Sequence, residues 1–510
     1  MVMCEEELRK IADGGLERVM TLPDIKEAEL FASSNDVDTT KINYTSDIPC
    51  NGVEQPSFDT SGGIGVRVVL KNGYYGVGVE SSLSPEAALN AGRKAVEAAH
   101  LDPFMTLLPR PAEDNPKISN YHDQRVIDAG GEVAVDSGWR ALDGAIDAYR
   151  QAGFKSVDRL LVSGDITSVR EVMAIASSTG VKVSDISTVL MAYLTTMAQE
   201  RNSKGTGWAT GSSLDTFKPV DAGRMAAESA IRGVDGKGID SGVYNVVFGP
   251  QAVTDLVVNF LVRGATAENI ARGDSPFVGK FGQQAISELL RVYDDGSIAG
   301  LAASKAYTCE GLPTEKTVLI ENGRLVGLLS TQDNAFSWSL DSIDERVIDY
   351  KKRLQGFLGT DQIPMLRGRN GFRFGRGGGR QYMGEPSANA TNLFLEGTDP
   401  IPEGELVDGS RLENGIYIGR LWYTYPINGL AKADVTSTAI ADSYIVKGGK
   451  IVGALRPNAV RVNDNFLGMF NRIEAVGHKN HGTIVWGAEE VVYAPHLLIR
   501  EVHLDAVVEA

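Results

Sequence analysis

One construction recurs along this chain and limits what it can fold into: a short strand-like run, a tight turn holding glycine, and a second short run. Gly63–Leu70 and Tyr74–Val79 flank Lys71-Asn72-Gly73, and Thr317–Glu321 and Arg324–Gly327 flank Asn322-Gly323. Ser443–Lys447 and Lys450–Gly453 flank Gly448-Gly449 in the same way. Runs joined by two or three turn residues close only as antiparallel hairpins, because parallel strands need a crossover of about a dozen residues or more. The last two units are alike, which fits repeated hairpin construction, and a shared turn solution explains it without duplication. Glycine supplies 57 of the 510 residues, well above the usual level of roughly 7%. Turns, bulges and tight strand ends are therefore numerous.

Between the hairpins the apolar spacing shifts to a helical period. Glu5–Met20 places Leu8, Ile11, Leu16 and Met20 on one face, and Ser84-Pro85 caps a helix running to about His100. Trp139–Gln151, Thr167–Ser178, Asp221–Arg232 and Ala252–Arg263 also read as helices, with strands at Glu27–Ala32, Val157–Asp165, Gly180–Thr210 and Tyr244–Phe248. The fold class is α+β: an N-terminal α/β domain with hairpins and a C-terminal β-rich domain, sandwich or barrel-like. The expected boundaries are 1–110 for the N-terminal domain and 111–240 for a middle α+β segment packed with it. Residues 241–510 form the C-terminal domain, with an insertion at about 336–382. The Pro-rich 101–130 stretch is a linker or crossing loop.

The insertion carries a Ser342-x-x-Glu345 capping-box pattern, then Ile343, Val347, Tyr350 and Leu354 at helical spacing. Beyond it lie Arg367, Arg369, Arg373, Arg376 and Arg380 among glycines, with Phe372 and Phe374. Such a segment can contact an acidic or RNA-like ligand by pairing and stacking. It can equally be a glycine loop whose arginines are solvated or meet local carboxylates.

Charge and cysteine narrow the class. Asp and Glu number 66 against 50 Lys and Arg, a formal charge of −16; such a surface repels phosphate, so nucleic-acid binding is not expected. Cys4, Cys50 and Cys309 form no CxxC pair and are too few for a disulfide scaffold. The acidic first residues lack a signal-peptide pattern, and no apolar stretch approaches the ~18 residues of a membrane span. The expected compartment is the cytoplasm.

Catalytic signatures are sparse. The Gly-x-Gly at Gly63–Gly65 lies inside a strand and opens no helix, so it is no nucleotide fingerprint. No Gly-x-Ser-x-Gly elbow or phosphate loop occurs, and Glu310 beside Cys309 disfavours the thiolate. Four of six histidines, His478, His481, His496 and His503, crowd the last part of the chain. Ile473–His478 is similar to the second half of a His-Glu-x-x-x-His helix, with isoleucine in the first ligand position. A metal site from Glu474, His478 and His481 is therefore one alternative. His496 and His503 fall in a terminal strand and need no special role; His100 reads as a helix C-cap.

Several motifs occur together in one order: Gly65-Val-Arg-Val68, the Ser84-Pro-Glu helix, Asp294-Asp-Gly-Ser, and Glu310-Gly-Leu-Pro-Thr-Glu-Lys-Thr-Val-Leu-Ile-Glu-Asn-Gly323. Ala390-Thr-Asn-Leu-Phe-Leu-Glu-Gly397 and Tyr444-Ile-Val-Lys-Gly-Gly-Lys450 follow. In this order the chain resembles the TldD/PmbA family, also called modulators of DNA gyrase, over nearly its whole length. The resemblance implies one of two branches. In the TldD branch the helix after Gly-Pro carries His-Glu-x-x-x-His and a later residue completes a zinc site for peptide hydrolysis. Here the corresponding helix, Ala252–Arg263, has neither histidine nor glutamate. The resemblance thus points to the PmbA or TldE branch, a metal-free subunit that pairs with a TldD-like zinc peptidase.

The resemblance and the residues together set the expectations for function. The chain has no catalytic residue of its own, binds no cofactor, and leaves zinc to the partner subunit. The substrate is a peptide or a modified, peptide-derived molecule, lying against the C-terminal half. Arg367, Arg369, Arg373, Arg376 and Arg380 contact it and gate the entrance. The alternatives are a stand-alone metallohydrolase using the C-terminal histidines, or a regulatory binding protein acting on nucleic-acid enzymes.

Overall fold

The computed structural model describes residues 3–48, 52–113, 118–375, 378–407, 411–485 and 490–507. The segments before and after position 110 share one antiparallel sheet. Its order is 100–101, 74–80, 57–70, 25–45, 160–177, 182–198 and 203–211, with 52–53 added beside 25–45. The centre is a long pairing of Ile25–Thr45 with Leu160–Ser177, in register from Glu29↔Ser177 to Thr45↔Leu161.

Strand alternation gives this sheet two different faces. Ala28, Leu30, Ala32, Val66, Val172 and Ala174 pack under helices Glu5–Val19 and Pro85–Glu97. Farther along the sheet, Ile42, Val162 and Leu194 pack under helices Glu132–Gln151 and Pro219–Arg232. The opposite parity supplies Glu29, Phe31, Arg67, Glu171 and Met173, all buried, because the C-terminal half covers that side.

The C-terminal half is β-rich. Asn414–Pro426, Gly242–Phe248, Leu497–Ala506, Val460–Asn465 and Asp434–Lys447 pair in a circle and close a five-stranded barrel. A six-stranded sheet stands beside it, ordered 324–325, 316–321, 290–295, 392–397, 491–494 and 481–483. The helix Pro250–Leu256 continues as a π-helical turn, Val257–Val262, within the core they share.

Several local expectations are corrected. Thr167–Ser178 is no helix; it completes the strand Leu160–Ser177. Strand neighbours on both sides and cover on both faces bury every residue from 168 to 177, which erases the alternation that marks a half-exposed strand. His100 caps no helix, because it pairs with Tyr75 in a short strand. The insertion helix is Glu345–Leu358, capped by the Asp344 side chain accepting from Arg346 N–H, so Ser342 is not its N-cap. Ile473–Val476 is a strand and gives no helical ligand spacing.

Candidate functional sites

Three places bear on chemistry. The first is the helix after Gly249-Pro250. Gly249 is needed for close approach: a Cβ there would sit 2.6 Å from the Tyr417 hydroxyl. Gln251 donates to the Ile484 carbonyl at 2.8 Å, and Thr254 meets Thr483. The helix's one acid, Asp255, is buried against Arg420, which also donates to the Tyr193 hydroxyl at 2.6 Å. Burial pushes the Asp255 carboxyl up to about 7, with the Arg420 charge opposing. Val257, Val258, Phe260, Leu261 and Val262 are buried in the core. Nothing on this helix offers an imidazole or a glutamate to a metal or to water.

The second place is the arginine segment, and here the expectation is corrected in part. Arg373 and Arg380 have fully buried side chains. Glu29 takes Arg67 as a two-pronged pair at 2.9 Å per contact, while Arg373 Nη2 stands 3.4 Å from it. Arg373 also lies over the Phe31 ring, 4.5 Å from its centre. Arg380 Nη1 donates to Asp185 at 2.6 Å, and its backbone N–H donates to Glu171 at 2.8 Å. Lys305 pairs with the same Glu171 at 2.5 Å. Burial works against the Glu171 charge, yet Arg380 and Lys305 outweigh it and hold the carboxyl down at about 2. These two arginines thus fasten the C-terminal half to the polar face of the N-terminal sheet and cannot meet a solvent-borne ligand. Arg367 is mostly exposed beside Glu315 at 2.7 Å, whereas Arg369 is mostly buried, donating to the Pro313 carbonyl at 3.1 Å. Arg376 lies outside the described residues.

Cys309 and Glu310 belong to the same seam. Arg373 N–H donates to Cys309 Sγ at 3.3 Å, and burial pushes the thiol up to about 12. Burial, with Asp333 nearby, also drives Glu310 well above the carboxylate range. The Glu310-Gly-Leu-Pro-Thr turn is thus an interior contact.

The third place is the histidine-rich end, where the structure exchanges two of the three residues expected from sequence. Glu474 is taken by Arg500, whose Nη2 donates at 2.6 Å. His478 is exposed, and its backbone N–H donates to the Ile401 carbonyl. His481 instead stands with Glu403 and His496, one ligand atom of each lying within 4.8 Å of the others. His481 Nε2 is 3.2 Å and His496 Nδ1 3.6 Å from Glu403 Oε1. Neither Glu403, in a short Pro-Glu-Gly-Glu stretch, nor His496 carries a motif. Their meeting depends on strand pairing between distant segments, so residue spacing could not reveal it.

With this geometry established, three family models match the chain. The C-terminal domain of PmbA/TldA metallopeptidases matches residues 241–505, their domain 1 matches 51–99 and their central domain matches 134–234. An uncharacterized protein of Methanocaldococcus jannaschii is 27% identical over 56% of this chain, a match spanning 64% of that relative. A metalloprotease of the same organism is 23% identical over 61% of this chain and 69% of its own length. The crystal structure of TldE from Thermococcus kodakarensis superposes with a TM-score of 0.75 at 15% identity, covering 98% of this chain and 100% of that one. That likeness establishes the fold.

Proposed function

This chain belongs to the PmbA/TldA metallopeptidase family, and we propose that it is the subunit without the peptidase zinc, acting beside a TldD-like partner. The observation that carries this reading is the Ala252–Arg263 helix. Its buried positions are hydrophobic apart from Thr254, which meets Thr483, and Asp255, the single acid, which is paired with Arg420. Water activation then falls to a partner whose equivalent helix holds His-Glu-x-x-x-His and zinc. This subunit would wall the cavity and position an extended peptide or peptide-derived substrate on the free strand edges of its β-rich half. Among the described arginines of this segment, Arg367 is open to a substrate carboxylate and Arg369 reaches solvent only at its edge. A cytoplasmic location fits the cysteine pattern, and among the described residues no helix is long and apolar enough to cross a membrane.

Co-expression with a TldD-like protein tests the reading. A stable complex should form whose peptide hydrolysis is lost when the partner's His-Glu-x-x-x-His is mutated. EDTA-sensitive hydrolysis by this chain alone would instead support a stand-alone metallohydrolase, which the Glu403–His481–His496 grouping favours.

A further inference from the structure

We propose that Glu403, His481 and His496 form a binding site for a divalent transition-metal ion of the zinc class, through Glu403 Oε1, His481 Nε2 and His496 Nδ1. This inference stands apart from the subunit reading, since none of the three residues lies on the Ala252–Arg263 helix.

Backbone pairing puts the three residues together. Ile401 bridges Gly477, so the Glu403 end of its segment lies along the turn that follows Val476. Gly477 N–H donates to the His496 carbonyl at 2.8 Å, and His481 pairs with Ala494 in the neighbouring strand. A side chain at position 477 would crowd His496, with the Cβ only 3.2 Å from its backbone nitrogen. The ligands therefore come from three segments held by main-chain bonds, the arrangement in which a metal can enter without refolding the site.

The distances suit a small tetrahedral ion. Bonds of ~2.0–2.2 Å to nitrogen and oxygen place neighbouring ligand atoms about 3.3–3.6 Å apart. Two of the three edges here measure 3.2 and 3.6 Å. The remaining pair lies within 4.8 Å and can close, since His481 is 45% exposed and stands at a strand end.

His496 is the strongest sign. Its ring is largely buried, and Nδ1 has no hydrogen-bond partner although it faces the carboxylate. A buried ring nitrogen left without a hydrogen bond is unfavourable unless something satisfies it. Nε2, on the other side, lies 3.4 Å from the buried Tyr417 hydroxyl. A histidine that binds metal through one nitrogen commonly donates its other N–H to an oxygen, which fixes tautomer and ring orientation. Two imidazoles and one carboxylate suit zinc and its neighbours, and leave a fourth position facing the open His481 side for water or a ligand carboxylate.

The test uses the full chain, stripped with a chelator and reloaded with Zn²⁺, with metal content measured by mass spectrometry and affinity by calorimetry. One zinc per chain is expected. His496→Ala and Glu403→Gln should each abolish stoichiometric binding, while His478→Ala should not. Tyr417→Phe should weaken binding by roughly 10–100-fold. Circular dichroism separates lost binding from lost folding. If His496→Ala does not fold, Glu403→Gln and the Co²⁺ absorption spectrum of the parent chain decide. Absence of stoichiometric zinc in the reloaded parent, or undiminished binding in folded Glu403→Gln, overturns the site. Zinc bound without hydrolysis by the isolated chain would support this site and leave the subunit reading intact.

Discussion

Arg380 and Asp185 stand 195 positions apart in the chain, yet the Arg380 guanidinium donates to the Asp185 carboxylate at 2.6 Å with both side chains fully enclosed. An arginine from a glycine-rich segment of the C-terminal half thus closes onto the polar face of the N-terminal sheet. Glu171, Lys305, Arg373, Glu29 and Arg67 extend the same seam.

Removing one member of a buried pair leaves its partner charged and unpaired, which costs about 3–5 kcal/mol. Arg380→Ala should therefore lower the urea midpoint strongly. Arg367→Ala breaks an exposed pair and should change stability by no more than ~1 kcal/mol. Equal midpoints for the two variants would show that the Arg380–Asp185 pair is no clamp.

Glu171 sets an acid limit on this seam. Its folded pKa, about 2, lies below the unfolded carboxylate value. The folded state therefore binds fewer protons, and the stabilisation is present above roughly pH 4.3 and fades as pH falls toward 2. The Tm of the parent protein should fall with pH between about 5 and 2.5 as this contribution is lost. Glu171→Gln should be less stable at neutral pH and flatter across the acid range; an unchanged slope would count against the assignment.

Helices Glu132–Gln151 and Pro219–Arg232 touch through their backbones. A Cβ at Gly223 would lie 1.8 Å from the Ala141 carbonyl oxygen, and one at Gly144 would lie 2.3 Å from that of Val220. In an isolated helix, alanine in place of glycine gains about 1 kcal/mol. Here Gly223→Ala should lower Tm, because the helices must part by more than side-chain adjustment allows. A raised Tm would show that the close approach is not required.

Thiol chemistry should divide the two described free cysteines, Cys4 exposed and Cys309 buried. Mass-spectrometric mapping after brief alkylation should find Cys4 modified and Cys309 untouched until denaturant is added. Rapid native labelling of Cys309 would mean that the seam opens in solution.

In the assembled complex, Arg367→Ala with Arg369→Ala should raise KM for acidic peptides while kcat and complex assembly stay near the parent values. Both side chains can reach solvent, Arg367 freely and Arg369 in part. Unchanged kinetics on acidic and neutral peptides alike would leave the pair as local partners of Glu315.

The hairpins were legible because their turns are local: Asn322-Gly323 and Gly448-Gly449 demand left-handed backbone at the tips, and the strands on either side pair in sequence. The Ser84 cap was legible for the same reason, its hydroxyl accepting from Ala87 three residues on. The missing ligands of the Ala252–Arg263 helix needed no coordinates, since an imidazole that is not encoded cannot be supplied by folding. What sequence could not order was the pairing of segments far apart. Thr167–Ser178 has the residues for either helix or strand, and neighbours on both edges made it a strand. Arg373 and Arg380 read like their exposed neighbours until the sheet face bearing Glu29, Glu171 and Asp185 enclosed them. Glu403 met His481 and His496 only because Ile401 bridges Gly477 and the terminal strands fold back beside it. By itself the sequence determined turn chemistry, helix caps and which reactive groups exist, all set within a few residues. Tertiary structure decided which charges are buried and which ligands converge, because both depend on desolvation and contact between distant segments.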